Sequence, residues 1–420
     1  MLKWLFCTVA ALLLLPLSSS AYSVLTHQAN IDSTWKKCLL PLLQSRYPNA
    51  TPEQLMAAKA HAYGGAIIQD MGFYPFGSAL FTNLTHYVRS GDFVRNLLEE
   101  ARDRNEYAFA LGALGHYAAD ISGHPEGTNK AMASVYPDLK ARFGDVITYE
   151  EAPKQHTQLE FAFDVMQVAA GRYRTEDYHS HIGFEVSKPV LERAFEKTYG
   201  LKLGQVIANV DLSIGSYRFA VSQLIPTATR AAWQSQRGEI RKLSPQVRRR
   251  EFIYDQSSRK YRQEFGTSYD QPGTGARILS WAVRVLPKIG PLKPFAFKLP
   301  TPEAQALFKA SFKTVLTNYC TLLEEVRDNP ARTLRLPNTD FDTGHPTRAG
   351  EYPLADKTYG EWLRKLAKAK FEGITGPLKQ NIVAFYGDAP KTPKDEEEKE
   401  ASTIKETQEA LAELKALPVK

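Results

Sequence analysis

Helical periodicity constrains this chain more than any other feature. In residues 52–68, 93–102, 107–119, 155–170 and 304–327, apolar side chains recur at i, i+3, i+4 and i+7. That spacing lines one face of an α-helix. Extended apolar–polar alternation is scarce. Gly and Pro fall mostly between these segments, where they interrupt helices. Thr51 ahead of Pro52 and Glu53, and Thr301 ahead of Pro302 and Glu303, read as helix N-caps. The expected fold class is all-α. With 420 residues, 43% hydrophobic and 24% charged, the chain carries enough apolar material for a large core. It reads neither as a disordered polymer nor as a membrane-embedded body.

The first 21 residues stand apart. Lys3, an apolar run over 9–15 and small residues over 18–21 form the pattern of a cleavable signal peptide. Cleavage after Ala21 gives a mature chain that begins at Tyr22 and lies outside the cytoplasm, in the periplasm or secreted to the exterior. Of the cysteines then left, Cys38 and Cys320 either pair or remain buried thiols. No CxxC spacing occurs, so any zinc site must use His, Asp, Glu or backbone atoms. The net charge of +7 suits anionic lipid surfaces, phosphate groups or nucleic acid. Its densest run, residues 241–250, reads equally well as a solvated basic face.

Beyond residue 21 the composition divides the chain again. Residues 22–183 hold most of the histidines. Residues 184–388 are helical and richer in Arg and Lys, with Pro-rich loops over 287–302 and 336–353. Residues 389–420 form a Lys/Glu-rich tail, expected to be a solvated helix or disorder without a core-forming face.

Eight of the nine histidines lie in the first region, and six of them, His27, His61, His86, His116, His124 and His156, fall within the stretch that also carries the paired carboxylates. His116 and Asp120 stand at i, i+4 within HYAAD, and His156 and Glu160 repeat that spacing within HTQLE. Residues at i and i+4 share a helix face. Zinc takes three or four nitrogen or oxygen ligands at about 2.0–2.2 Å, and two ligands one turn apart supply half of such a shell. A lone His-x3-Asp pair is usually a surface contact. Two pairs plus further histidines on apolar helices are costly to bury without a cation. This pattern points to metal binding. His61 reads as a helix-face histidine rather than a ligand's partner, His179 and His181 as exposed, and His345 as a loop residue without a partner. No G-x-S-x-G elbow or P-loop is present.

Residues 111–129, LGALGHYAADISGHPEGTN, resemble the signature of the zinc-dependent phospholipases C, whose fold is shared with the single-strand-specific zinc nucleases. The order of elements is similar too: a near-terminal His, then Asp, His, His-x3-Asp, His and His-x3-Glu. The resemblance covers residues 22–183. It implies a multi-helix catalytic region, here with additional C-terminal helices, and up to three Zn2+ ions. Asp70, His86, His116 and Asp120 would surround one ion. His124, His156 and Glu160 would hold a second. His27 and a bridging Asp120 would hold the third, completed by the amino group and carbonyl of Tyr22. Asp70 would be the general base. The sequence departs from the family's secreted toxins and nucleases between Asp120 and His124, where three residues stand in place of five.

The function so implied is a secreted zinc-dependent phosphodiester hydrolase of the phospholipase C type, with a phospholipid substrate and peripheral membrane contact. A single-strand nuclease acting on nucleic acid, and a non-catalytic metal-stabilised binding protein, are the alternatives. Ile67, Met71, Phe73 and Phe76 are expected to form an apolar rim for lipid; Phe73, Tyr74, Phe76 and Tyr87 are the aromatics available to stack on bases.

Overall fold

The computed structural model describes residues 23–170, 185–221, 225–247, 297–387 and 398–418. These are helices and connecting turns. No strand occurs among the described residues, which hold one isolated bridge between Thr339 and Pro346. The fold is all-α.

The helix Arg104–Gly123 is the centre of the molecule and is buried along almost its whole length. Its sequence is rich in Ala and Leu, strong helix formers. Asp103 caps it by accepting from the amides of Asn105 and Glu106. At its far end Pro125 has no N–H to continue the α ladder. The chain widens there into a π turn, His124–Thr128, before the helix Asn129–Val135.

Four helices pack round this axis: Val24–Thr34, Pro52–Gly65, Ser90–Glu100 and Pro302–Asp328. The caps expected at Thr51 and Thr301 are both present, Thr51 in a reciprocal capping box with Gln54. The tightest contact is between Pro52–Gly65 and the central helix. A Cβ on Gly65 would lie 1.9 Å from Phe109 O, and one on Gly112 would lie 2.0 Å from Ala62 O. Backbone therefore meets backbone, and only glycine permits it. The helix of the periodic segment 52–68 ends at Gly65, and the chain then forms a 3₁₀ turn, Ile68–Phe73.

The largest core runs from Val24 to Leu414. It unites Phe109, Leu111 and Leu114 of the central helix with Phe195 and Tyr199, Tyr319 and Leu323, and Trp362 and Leu363. The described residues before and after position 183 thus share one core. The bond Cys38–Cys320 ties the π turn Trp35–Leu39 to the helix Pro302–Asp328 across 282 residues of sequence.

The tail corrects its expectation. The helix Glu398–Ala416 buries Ala410 and Leu414 in that same core, packed on the helix Pro353–Lys368. Leu411 and Leu417 pack against that core as well, so a narrow apolar face is enough when a docking surface already exists.

Candidate metal centre

The central helix delivers His116 and Asp120 from successive turns, and both are fully buried. The Gly65–Gly112 contact places Ala66 O against His116, whose Nδ1 lies 2.9 Å from it. A carbonyl only accepts, so Nδ1 donates and Nε2 keeps its lone pair. His86, on the helix Ala79–Tyr87, is set the same way by Thr82 O at 2.8 Å. The two Nε2 atoms face each other at 3.3 Å. Asp70 comes from the 3₁₀ turn, which is held by Thr82 Oγ1 donating to Gln69 O at 2.7 Å and Gln69 Nε2 donating to Ala113 O at 3.2 Å. Its Oδ1 lies 3.3 Å from His86 Nε2 and 3.8 Å from His116 Nε2.

Asp120 stands between two groups. Its Oδ2 lies 3.1 Å from His116 Nε2 and 3.5 Å from His86 Nε2, while Oδ1 lies 3.6 Å from His27 Nε2. The His27 ring stacks on His116 with centroids 4.3 Å apart. Asp164 fixes the start of the His27 helix: its Oδ2 accepts from the Leu25 amide at 3.0 Å and its Oδ1 from Thr26 Oγ1 at 2.6 Å.

A second cluster lies beyond the first. His156 Nδ1 is 2.7 Å from Glu160 Oε1, yet neither atom is in hydrogen-bonding geometry. The His124 and His156 rings lie 5.1 Å apart. Asp342, from a loop far down the chain, accepts from His124 Nδ1 at 2.7 Å. Ligand atoms of His124, His156 and Asp342 fall within 4.8 Å of one another, as do those of Asp70, His86 and His116, and those of His27, His116 and Asp120.

The electrostatics show what these clusters require. Burial works against a charged His86, but bonds to Asp120 and Asp70 outweigh it and push the imidazole up to about 9. Burial also opposes ionisation of Asp120, and the charge of His116 with the bonds from His116 and His86 holds its carboxyl well below the usual range. Burial drives Glu160 well upward, with Asp120 adding to it, and pushes His156 down to about 3, assisted by His124. The oxygens of Glu160, Nδ1 of His156 and Nε2 of His124 are buried and make no hydrogen bond. Buried polar atoms are normally satisfied. Imidazole nitrogens and carboxylate oxygens converging at 2.7–3.6 Å are the donor set that Zn2+ takes. The residues fit the ion.

Residues 26–208 match the family model for zinc dependent phospholipase C. Over this region the chain is similar to the zinc-dependent phospholipase C family. No curated protein and no solved structure matches the chain. The phospholipase C region thus carries every described ligand candidate read from the sequence, namely His27, Asp70, His86, His116, Asp120, His124, His156 and Glu160. Tyr22 lies outside the described residues, as do His179 and His181.

The structure brings the first five together, with Asp120 between two groups. The short spacing before His124 is accommodated by the central helix, which runs on to Gly123 and so sets His116, Asp120 and His124 on one face at successive turns. Two residues escaped sequence reasoning, Asp164 and Asp342. Asp164 continues the row His156, Glu160 at i+4, a signal that was available. Asp342 sits in NTDFDTGHP, whose paired acids lack any helical spacing. His61 is away from the clusters, sharing a 2.8 Å hydrogen bond with Ser187 Oγ. His345 is exposed.

The expected rim also needs correcting. Ile67 and Met71 are fully buried and Tyr87 nearly so; they are core residues. Phe73, Tyr74 and Phe76 are half-buried. Phe73 lies 6.3 Å from the His86 ring and 6.2 Å from Tyr149, which in turn lies 5.8 Å from His156. The half-buried aromatics beside the two clusters are Phe73 and Tyr149.

Proposed function

We propose that this protein is a zinc-dependent phosphodiester hydrolase whose substrates are phospholipids. The observation that carries the reading is Asp120, a fully buried carboxylate with His27 at one oxygen and His86 and His116 at the other. His27, Asp70, His86, His116 and Asp120 would hold the ions of the first cluster, and His124, His156 and Glu160 those of the second. Bound zinc supplies Lewis acidity, which polarises phosphoryl oxygens and acidifies water.

The chain's own residues do the rest. Burial opposes ionisation of Asp70, but His116 and His86 beside it hold its carboxyl below the ordinary carboxylate value. An ionised carboxylate at the edge of the cluster is suited to take the proton of an attacking water. Backbone carbonyls of Ala66 and Thr82 hold the His116 and His86 rings in place, so the donor set is rigid before substrate arrives. Half-buried Phe73 and Tyr149 offer the apolar contact a lipid would use.

We further place the protein outside the cytoplasm. The Cys38–Cys320 bond suits an oxidising compartment, and the basic net charge suits peripheral contact with anionic lipid. No described helix is long and apolar enough to cross a membrane.

The test is hydrolysis of p-nitrophenylphosphorylcholine by the purified protein, with single-stranded DNA assayed in parallel. Turnover that stops on chelation and returns with zinc is expected. Cleavage of the DNA and not the choline ester replaces the lipid reading with the nuclease one. Bound zinc with no turnover of either makes this a binding protein.

A further inference from the structure

Asp342 lies outside the matched segment 26–208, yet it touches the second cluster twice. Both of its carboxylate oxygens are engaged. Oδ1 accepts from His124 Nδ1 at 2.7 Å, and Oδ2 accepts from Tyr352 Oη at 2.5 Å and from the Tyr149 amide at 2.8 Å. A carboxylate only accepts, so the His124 proton sits on Nδ1, and Nε2, buried and without a hydrogen bond, is left as the lone pair.

Its backbone acts on the other histidine. Asn129 Nδ2 donates to Asp342 O at 2.8 Å. That bond fixes which end of the amide is oxygen, since a carbonyl accepts only a donor. Asn129 Oδ1 then faces His156 Nε2 at 2.7 Å. The His156 proton therefore sits on Nε2, and the Nδ1 lone pair faces Glu160 at 2.7 Å.

The loop that carries Asp342 is clamped to the centre. Phe341 packs against the rings of His86, His116 and Tyr117 at 5.0, 6.0 and 5.6 Å. Ser90 Oγ donates to Thr339 O at 2.6 Å, Tyr117 Oη to Pro337 O at 2.9 Å and Thr347 Oγ1 to Tyr87 O at 2.9 Å.

We propose that Asp342 is the positioning residue of the second zinc site, setting the tautomer of His124 through its carboxylate and that of His156 through its carbonyl and Asn129. The C-terminal region is then part of the metal centre and not an appendage to it. This rests on the zinc reading above. Ligand histidines generally give their second nitrogen to a carboxylate or carbonyl, and loss of that partner weakens metal binding about 10–100-fold.

The experiment uses full-length Asp342→Ala, Asn129→Ala and Tyr352→Phe with the wild type. Zinc affinities are measured by competition with a chromophoric chelator, and bound cobalt by its visible absorption. Asp342→Ala and Asn129→Ala are each expected to weaken one class of ion by roughly 10–100-fold and leave the rest unchanged. At saturating cobalt both should return the wild-type spectrum, because no ligand has been removed. Tyr352→Phe, which withdraws one hydroxyl from the carboxylate, should give a smaller loss at the same ion and keeps the test open if Asp342→Ala does not fold. Wild-type affinities throughout would overturn the proposal. So would uniform weakening of every ion, which marks a merely structural loop, or a changed cobalt spectrum in Asp342→Ala, which marks direct ligation. A wild type that binds no zinc overturns the zinc reading itself.

Discussion

His86 and His116 turn their Nε2 atoms toward each other across 3.3 Å. Each Nδ1 already donates to a carbonyl, so two lone pairs meet unless a cation or a proton lies between them. Without metal that cation is a proton on His86. Burial opposes it, and bonds to Asp120 and Asp70 outweigh burial to give a value of about 9. A raised histidine stabilises the fold fully below its unfolded value of about 6.5, and that stability is lost as pH climbs through about 9. The chelated protein should therefore melt at progressively lower temperature between those limits. The zinc-loaded protein should not, because zinc binds the deprotonated ring. Melting curves with and without chelator check this, and equal slopes would sink it. His86→Asn should flatten the chelated curve.

Asp164 holds the first turn of the His27 helix through Leu25 and Thr26. Asp164→Ala leaves a buried amide and hydroxyl without this acceptor, at a cost of roughly 1–3 kcal/mol. Because His27 follows directly, zinc binding should weaken at the ion shared by His27 and Asp120 more than at the second cluster. Denaturant unfolding gives the first effect and chelator competition the second.

Reduction of Cys38–Cys320 opens a closure of 282 residues. Chain entropy alone assigns such a loop roughly 5 kcal/mol. Paired Cys38→Ser and Cys320→Ser substitutions should lower the unfolding free energy by about 2–5 kcal/mol. Reducing agent should do the same to the wild type and nothing to the double variant.

Leu414 is fully buried under the helix Pro353–Lys368. Leu414→Ala should cost about 2–5 kcal/mol. A solvated tail would instead show no change in thermal unfolding.

The sequence reading reached what is local. His116 with Asp120 and His156 with Glu160 stand one turn apart, so spacing alone put each pair on one face, and the caps at Thr51 and Thr301 are equally short-range. What it missed is long-range. His124 and Asp342 are 218 residues apart, and no periodicity links a loop acid to a helix histidine. Ile67 and Met71 looked like rim because they neighbour Asp70 in sequence; in the fold both side chains are buried in the main core. Leu414 was overlooked because a charged helix shows no broad apolar face until the surface beneath it is known.

The clamp around Phe341 has a bearing on synthesis. A chain emerging from its N-terminus presents His86, His116, His124 and His156 long before residues 337–347 arrive. Until then the His86 and His116 rings lack their apolar cover, and His124 is free to adopt either tautomer. The donor geometry of both clusters is thus completed only after residues 337–347 have been made and have folded back onto helices built far earlier.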